Sequence, residues 1–256
     1  MSSSRSFPLC RFTVSRLLAF SLIFSTSWLC AQPAAPHKIV QSTGSEQTGT
    51  ILGVTNGVVN FRVASGTIGV ALRNIRSVDM PAPPALAEAR VAFLAGDAKK
   101  ALELVRPVAT NFSGLPTPWA KEAVQLRAQA GLLTGTMADA KAGYTELDTL
   151  YADKEGAAIG LARIFTEEGK LDEAQTTLEP LVEAALKDGA PTDTKAMGYG
   201  QAALALGVLR EKQGRKPEAL ENYLLAVAVF DADPATVANA QARADALRKE
   251  GGVVVP

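Results

Sequence analysis

The sequence predicts an α+β fold, with a small N-terminal antiparallel β-barrel, an α-solenoid of about four helix pairs and a C-terminal capping helix. Between residues 37 and 80, apolar and polar residues alternate, as expected for strands with one buried face. After residue 85, alanine, leucine and glutamate dominate, and one spacing of glycine, alanine and a large apolar residue recurs four times. The proline-rich segment 81–84 blocks a continuous helix or strand, so it marks the predicted linker between the two domains.

Residues 1–31 have the composition of a secretory signal peptide. Three arginines and no acidic residue precede the apolar run 17–29, which is shorter than the roughly 20 residues of a membrane span. We expect cleavage after Ala31 and export to the periplasm or cell envelope. Two alternatives remain open, a lipidated Cys30 and an uncleaved signal, and either would associate the chain with a membrane.

The composition of the exported chain argues against several classes of function. Cleavage would remove both cysteines, Cys10 and Cys30, so neither a disulfide framework nor a thiolate site is expected. It would leave 23 basic and 26 acidic residues, which does not favour a nucleic-acid partner. The single histidine, His37, lies near the new N-terminus and makes a histidine-dependent catalytic or zinc site a poor hypothesis. We therefore expect a non-enzymatic protein without a cofactor or metal.

The β region, residues 37–80, has clear turn signals. Asn56-Gly57 separates two apolar runs and predicts a tight hairpin, and Ser65-Gly66 predicts a second turn. The alternation places Phe61 on the buried face, and a short break near Arg73 precedes a last strand at 76–80. Five short strands in this arrangement resemble SH3-like or Sm-like small barrels. We expect a structural module, because Phe61 is then not available as an RNA-stacking aromatic.

The second region, residues 85–250, contains a fourfold motif in which alanine follows glycine by five residues and a large apolar residue follows the alanine by four. The four sets are Gly96/Ala101/Val105, Gly135/Ala140/Tyr144, Gly169/Ala174/Leu178 and Gly214/Ala219/Tyr223. Successive glycines are 39, 34 and 45 residues apart. This motif resembles the tetratricopeptide repeat (TPR), whose unit is about 34 residues. The similarity covers roughly residues 85–231.

The resemblance implies a role for each position of the motif. The glycine would end the first helix of a pair in a left-handed conformation, and the alanine would lie where two helices cross closely. Leu161-Ala162 and Leu206-Gly207 match the large-small pair of the first helix, whereas the first two units carry Glu88-Ala89 and Arg127-Ala128 and depart from it. Asp233-Pro234 predicts the start of a terminal helix that runs to residue 250 and caps the solenoid, followed by the tail 251–256.

In TPR proteins the first helix of each pair lines a concave face that binds protein segments. The glycine register places five polar side chains on that face, namely Arg90, Gln125, Gln129, Arg163 and Gln201. The sequence therefore predicts an exported scaffold or adaptor that binds a protein or peptide partner through its repeats. The alternative is a cell-envelope enzyme or carbohydrate-binding module with its site on the β domain.

Overall fold

A computed structural model describes residues 36–188 and 191–250. In these ranges the protein is α+β, with one five-stranded antiparallel sheet followed by nine α-helices. The predicted signal peptide, residues 1–31, and the tail 251–256 lie outside the described residues.

The sheet has the strand order β4-β3-β2-β1-β5, and each neighbouring pair is antiparallel. The strands are β1 (His37–Gln41), β2 (Glu46–Thr55), β3 (Val58–Val63), β4 (Gly66–Ala71) and β5 (Ile75–Asp79), and a short 3₁₀ turn at Leu72–Asn74 precedes β5. The long strand β2 pairs with β1 through its first half and with β3 through its second half. The register between β2 and β3 shifts between Ile51 and Gly53.

The predicted strand pattern is confirmed, but the sheet is open. Asn56 and Gly57 have φ angles of 51° and 72°, as the predicted hairpin requires. Phe61 and Val59 are fully buried in the face that the alternation assigned to the core. Strands β4 and β5 form the two edges of the sheet and do not pair with each other, so closure into a barrel is not seen in the described residues.

The nine helices of the described ranges form four antiparallel pairs and one terminal helix. They are α1 (Pro84–Leu94), α2 (Ala98–Phe112), α3 (Pro118–Leu133), α4 (Met137–Tyr151), α5 (Lys154–Glu167), α6 (Leu171–Asp188), α7 (Asp193–Lys212), α8 (Lys216–Ala228) and α9 (Pro234–Lys249). Each helix contacts the next along the chain, and α5, α7 and α9 also contact one another in that order. The first helices of successive pairs therefore lie side by side.

The repeated glycines end the first helix of each pair, as the sequence predicts. Gly96, Gly135, Gly169 and Gly214 have φ angles between 72° and 82°, which disfavour any side chain with a Cβ atom. The alanine of each motif is fully buried, and the large apolar residue four positions later is at most 4% exposed. The motif thus marks both the turn and the buried positions of the helix that follows it.

Tyrosine side chains fill the space beside small residues in two pairs. Tyr144 of α4 packs against Gly160 of α5, and Tyr223 of α8 packs against Gly207 of α7. A Cβ atom at either glycine would overlap the aromatic ring. In these two units the large apolar residue of the motif therefore contacts a glycine of a neighbouring first helix.

The sheet packs against the corner between α2 and α3. Leu115 and Ala120 from this corner are buried with the apolar face of the sheet. The indole Nε1 of Trp119 donates a hydrogen bond of 3.0 Å to the carbonyl oxygen of Met80, just after β5. A methyl group on Gly114 would meet the side chain of Leu72. The linker between the regions is short, and their apolar cores meet at this corner.

Candidate functional site

A groove of about 540 Å³ crosses the first helices of the pairs. It is lined by side chains from the C-terminal part of α1, from α3, α5 and α7, and from α9, with Tyr144 and Leu147 of α4 below them. On α5 the lining residues include Ile159, Arg163 and Glu167, which recur at the spacing of one helix face. Residues of the same face of α7 and α9 continue the groove.

Four of the five side chains that the sequence placed on a concave face line this groove. They are Gln125 and Gln129 of α3, Arg163 of α5 and Gln201 of α7. Arg90 is not among the lining residues. Its guanidinium makes a two-pronged ion pair with Glu122 of α3, with Nε 2.7 Å and Nη2 2.9 Å from the two carboxylate oxygens. Arg90 therefore joins α1 to α3 and has its charge already satisfied.

Arg163 differs from the other charged residues of the groove. It is exposed and makes no ion pair or hydrogen bond with any residue that the structure describes. Its positive charge acts on the buried Tyr144 phenol below it. Burial raises the pKa of Tyr144, and the nearby Arg163 opposes that rise. An unpaired guanidinium in a groove can donate several hydrogen bonds to an incoming carboxylate.

The acidic groups of the groove are engaged. Asp153 caps the N-terminus of α5 by accepting from Gly156 N–H and lies 2.9 Å from the Lys121 ammonium. Glu167 lies 2.8 Å from the Lys212 ammonium. Asp233 caps α9 by accepting from the backbone of Ala235 and the hydroxyl of Thr236.

The remaining arginine of the groove, Arg243, is also engaged. Its Nη1 donates to Glu211 at 3.1 Å. Among the residues that the structure describes, Arg163 is therefore the charged lining residue whose side chain makes neither an ion pair nor a hydrogen bond.

Uncharged amides line the same groove as Arg163. They are the side chains of Gln125, Gln129, Gln201 and Asn239, and none of these side chains hydrogen-bonds another described residue. An amide carries both donors and an acceptor, so it can bind the backbone of a guest chain. Asn239 was missed by the sequence reasoning, which treated α9 only as a cap. Its position three residues after Thr236 on the same helix face is the signal that could have identified it.

A second concavity, of about 500 Å³, is lined by Lys99, Leu102, Glu103, Arg106, Thr134 and Thr136. The Arg106 guanidinium there is already paired with Asp139. The imidazole Nδ1 of His37 accepts a hydrogen bond of 2.9 Å from the backbone N–H of Ile51. This histidine therefore links β1 to β2 within the sheet. Within 36–188 and 191–250, no three histidine, cysteine, aspartate or glutamate side chains gather where a metal could bind. No helix of these ranges combines the length and the apolar character needed to cross a bilayer.

Comparison of the chain with protein-family models, with curated proteins and with solved structures gave no match.

Proposed function

We propose that this chain is an exported, non-enzymatic scaffold that binds a segment of another protein in the groove formed by its first helices. The observation that carries the proposal is the set of unengaged groups there: Gln125, Gln129, Arg163 and Gln201, with Asn239 beside them. Polar groups of this kind gain hydrogen bonds from an extended guest without losing any within the protein.

A TPR-like assignment of the helices is part of the proposal. The left-handed glycine at each of the four turns supports it, as does the buried alanine five residues later. In such a stack the binding surface spans several repeats, which fits a groove that extends from α1 to α9. The 3₁₀ turn before β5 supports the assignment of the sheet as an SH3-like module that stays open.

The cellular location is proposed from the N-terminal sequence. The arginine-then-apolar order of residues 5–29 and the small residue Ala31 support export with cleavage after Ala31. The intact mass of the protein from the envelope fraction tests this. A chain beginning at Gln32 is expected, and a lipid-modified Cys30 at the N-terminus would replace the soluble exported form with a membrane-anchored one.

Site-specific cross-linking in the native compartment tests the binding function. A photoreactive amino acid at Gln129 lies in the groove, whereas one at Asp148 lies on the exposed side of α4 and serves as the control. We expect discrete protein adducts from position 129 and none from position 148. Adducts from both positions alike, or from neither, would contradict binding in the groove.

A further inference from the structure

The end of the groove between α1 and α3 is apolar. Phe93, Leu132 and Leu133 line it, and Leu133 is 62% exposed. Leu94 is 79% exposed and stands at the position of α1 that corresponds to Leu133 of α3, two residues before the glycine that ends each helix. These four residues form what we call the apolar shelf. Exposed leucines beside an open groove are a typical contact surface for an apolar guest side chain.

Arg163 lies on the next first helix beyond the shelf. Helices α3 and α5 contact each other. A guest that crosses from α3 to α5 would therefore pass from the shelf to Arg163.

The backbone of an extended guest can be held between the shelf and Arg163. An extended chain makes no hydrogen bonds within itself, so its backbone groups are available to the side-chain amides of Gln125 and Gln129 on α3.

We propose that the groove recognises an extended segment of a partner protein that carries a large apolar side chain within a few residues of an aspartate or glutamate. The apolar side chain packs on the shelf, the carboxylate pairs with Arg163, and the glutamines of α3 bind the backbone between them. This inference rests on the proposed function of the groove and adds the chemistry of its ligand.

Selection from a displayed library of random twelve-residue peptides tests the inference on the full exported chain. We expect the selected peptides to share Leu, Ile, Met or Phe at one fixed, short spacing from Asp or Glu, in one of the two orders. Arg163→Glu should weaken a selected synthetic peptide roughly tenfold or more, and changing the peptide's acidic residue to Lys should restore binding to this variant.

Control variants separate the groove from other surfaces. Leu133→Ser should also weaken the peptide severalfold, because it removes an apolar contact from an already exposed position. Arg73→Glu, an exposed change on the sheet side, should leave binding unchanged. The reversed-charge rescue is a result that a merely structural role of Arg163 could not produce.

The outcomes distinguish the ligand chemistry from the function. Peptides that lose affinity for Gln129→Ala but lack the apolar and acidic pair would overturn the ligand inference and leave groove binding intact. A selection without binders, or with binders that tolerate every groove substitution, would overturn both.

Discussion

Replacing Gly143 of α4 by alanine is expected to destabilise the protein, although alanine is the better helix former. A Cβ atom at this position would lie 2.6 Å from Ala128 Cβ and 3.1 Å from Ala128 Cα on α3. Ala128 is fully buried, and its main chain has no rotamer with which to move away. The two helices would have to separate at their crossing.

The magnitude follows from two opposing effects. Gly→Ala within a helix gains about 1 kcal/mol in helix propensity. Overpacking of a close contact costs about 1–3 kcal/mol, and contact with a main chain favours the upper part of this range. We therefore expect Gly143→Ala to lower the free energy of unfolding by about 1–2 kcal/mol. For a chain of this size that corresponds to a fall in Tm of roughly 2–8 °C.

Gly198 of α7 provides a matched control. A Cβ atom there would also lie 2.6 Å from a neighbouring atom, but that atom is Oε1 of Glu155, the tip of a flexible side chain. Gly198→Ala should therefore keep most of the propensity gain and stabilise the protein by about 0.5–1 kcal/mol. Urea unfolding followed by circular dichroism measures both variants. If the Gly143→Ala variant has the same free energy of unfolding as the Gly198→Ala variant, α3 and α4 do not cross as closely as described.

Three further predictions follow from the contacts. Ala174→Leu should lower the free energy of unfolding, measured in urea, by about 1–3 kcal/mol, because Ala174 is fully buried. The same change at the exposed Ala242 should cost much less. Equal effects at the two positions would contradict the repeat register. Trp119→Phe removes the indole N–H that donates to the Met80 carbonyl oxygen, so it should lower the free energy of unfolding by about 1–3 kcal/mol. An unchanged Tm would refute this contact between the sheet and α3. Burial lowers the pKa of His37 in the folded protein below its ordinary value of 6.5. As the pH falls below 6.5, the unfolded chain therefore binds a proton at this imidazole more readily than the folded protein does, and the free energy of unfolding should decline. His37→Leu should remove this part of the pH dependence of unfolding.

Local backbone chemistry made much of the fold predictable. Glycine is the residue that most readily takes the left-handed conformation at a helix end, so Gly135 and Gly169 identified turns without knowledge of the tertiary structure. Asn56-Gly57 did the same for the hairpin. Closure of the sheet depends instead on whether the edge strands β4 and β5 approach each other in space. No single residue specifies that approach, and the sheet is open.

The sequence predicted which side chains face the groove, but it could not predict which side chains are already paired within the protein. A helix register places Gln129 and Arg163 on the groove face, since residues at equivalent positions of neighbouring repeats point the same way. The same register could not show that Arg90 is paired with Glu122, because that carboxylate comes from the adjacent first helix, 32 residues later. Asn239 lies on a helix without the repeat motif, so the register did not reach it.

The most direct test of groove recognition is the affinity of a cross-linked partner segment for three variants, measured by calorimetric titration. Arg163→Glu removes the unengaged cation of the groove, and it should raise the dissociation constant roughly tenfold or more with little change in Tm. Arg90→Glu breaks an ion pair outside the groove lining, and Arg73→Glu alters the sheet side, so both should bind as the unaltered protein does. Loss of affinity in the Arg73 variant alone would contradict the account and make the sheet the recognition element.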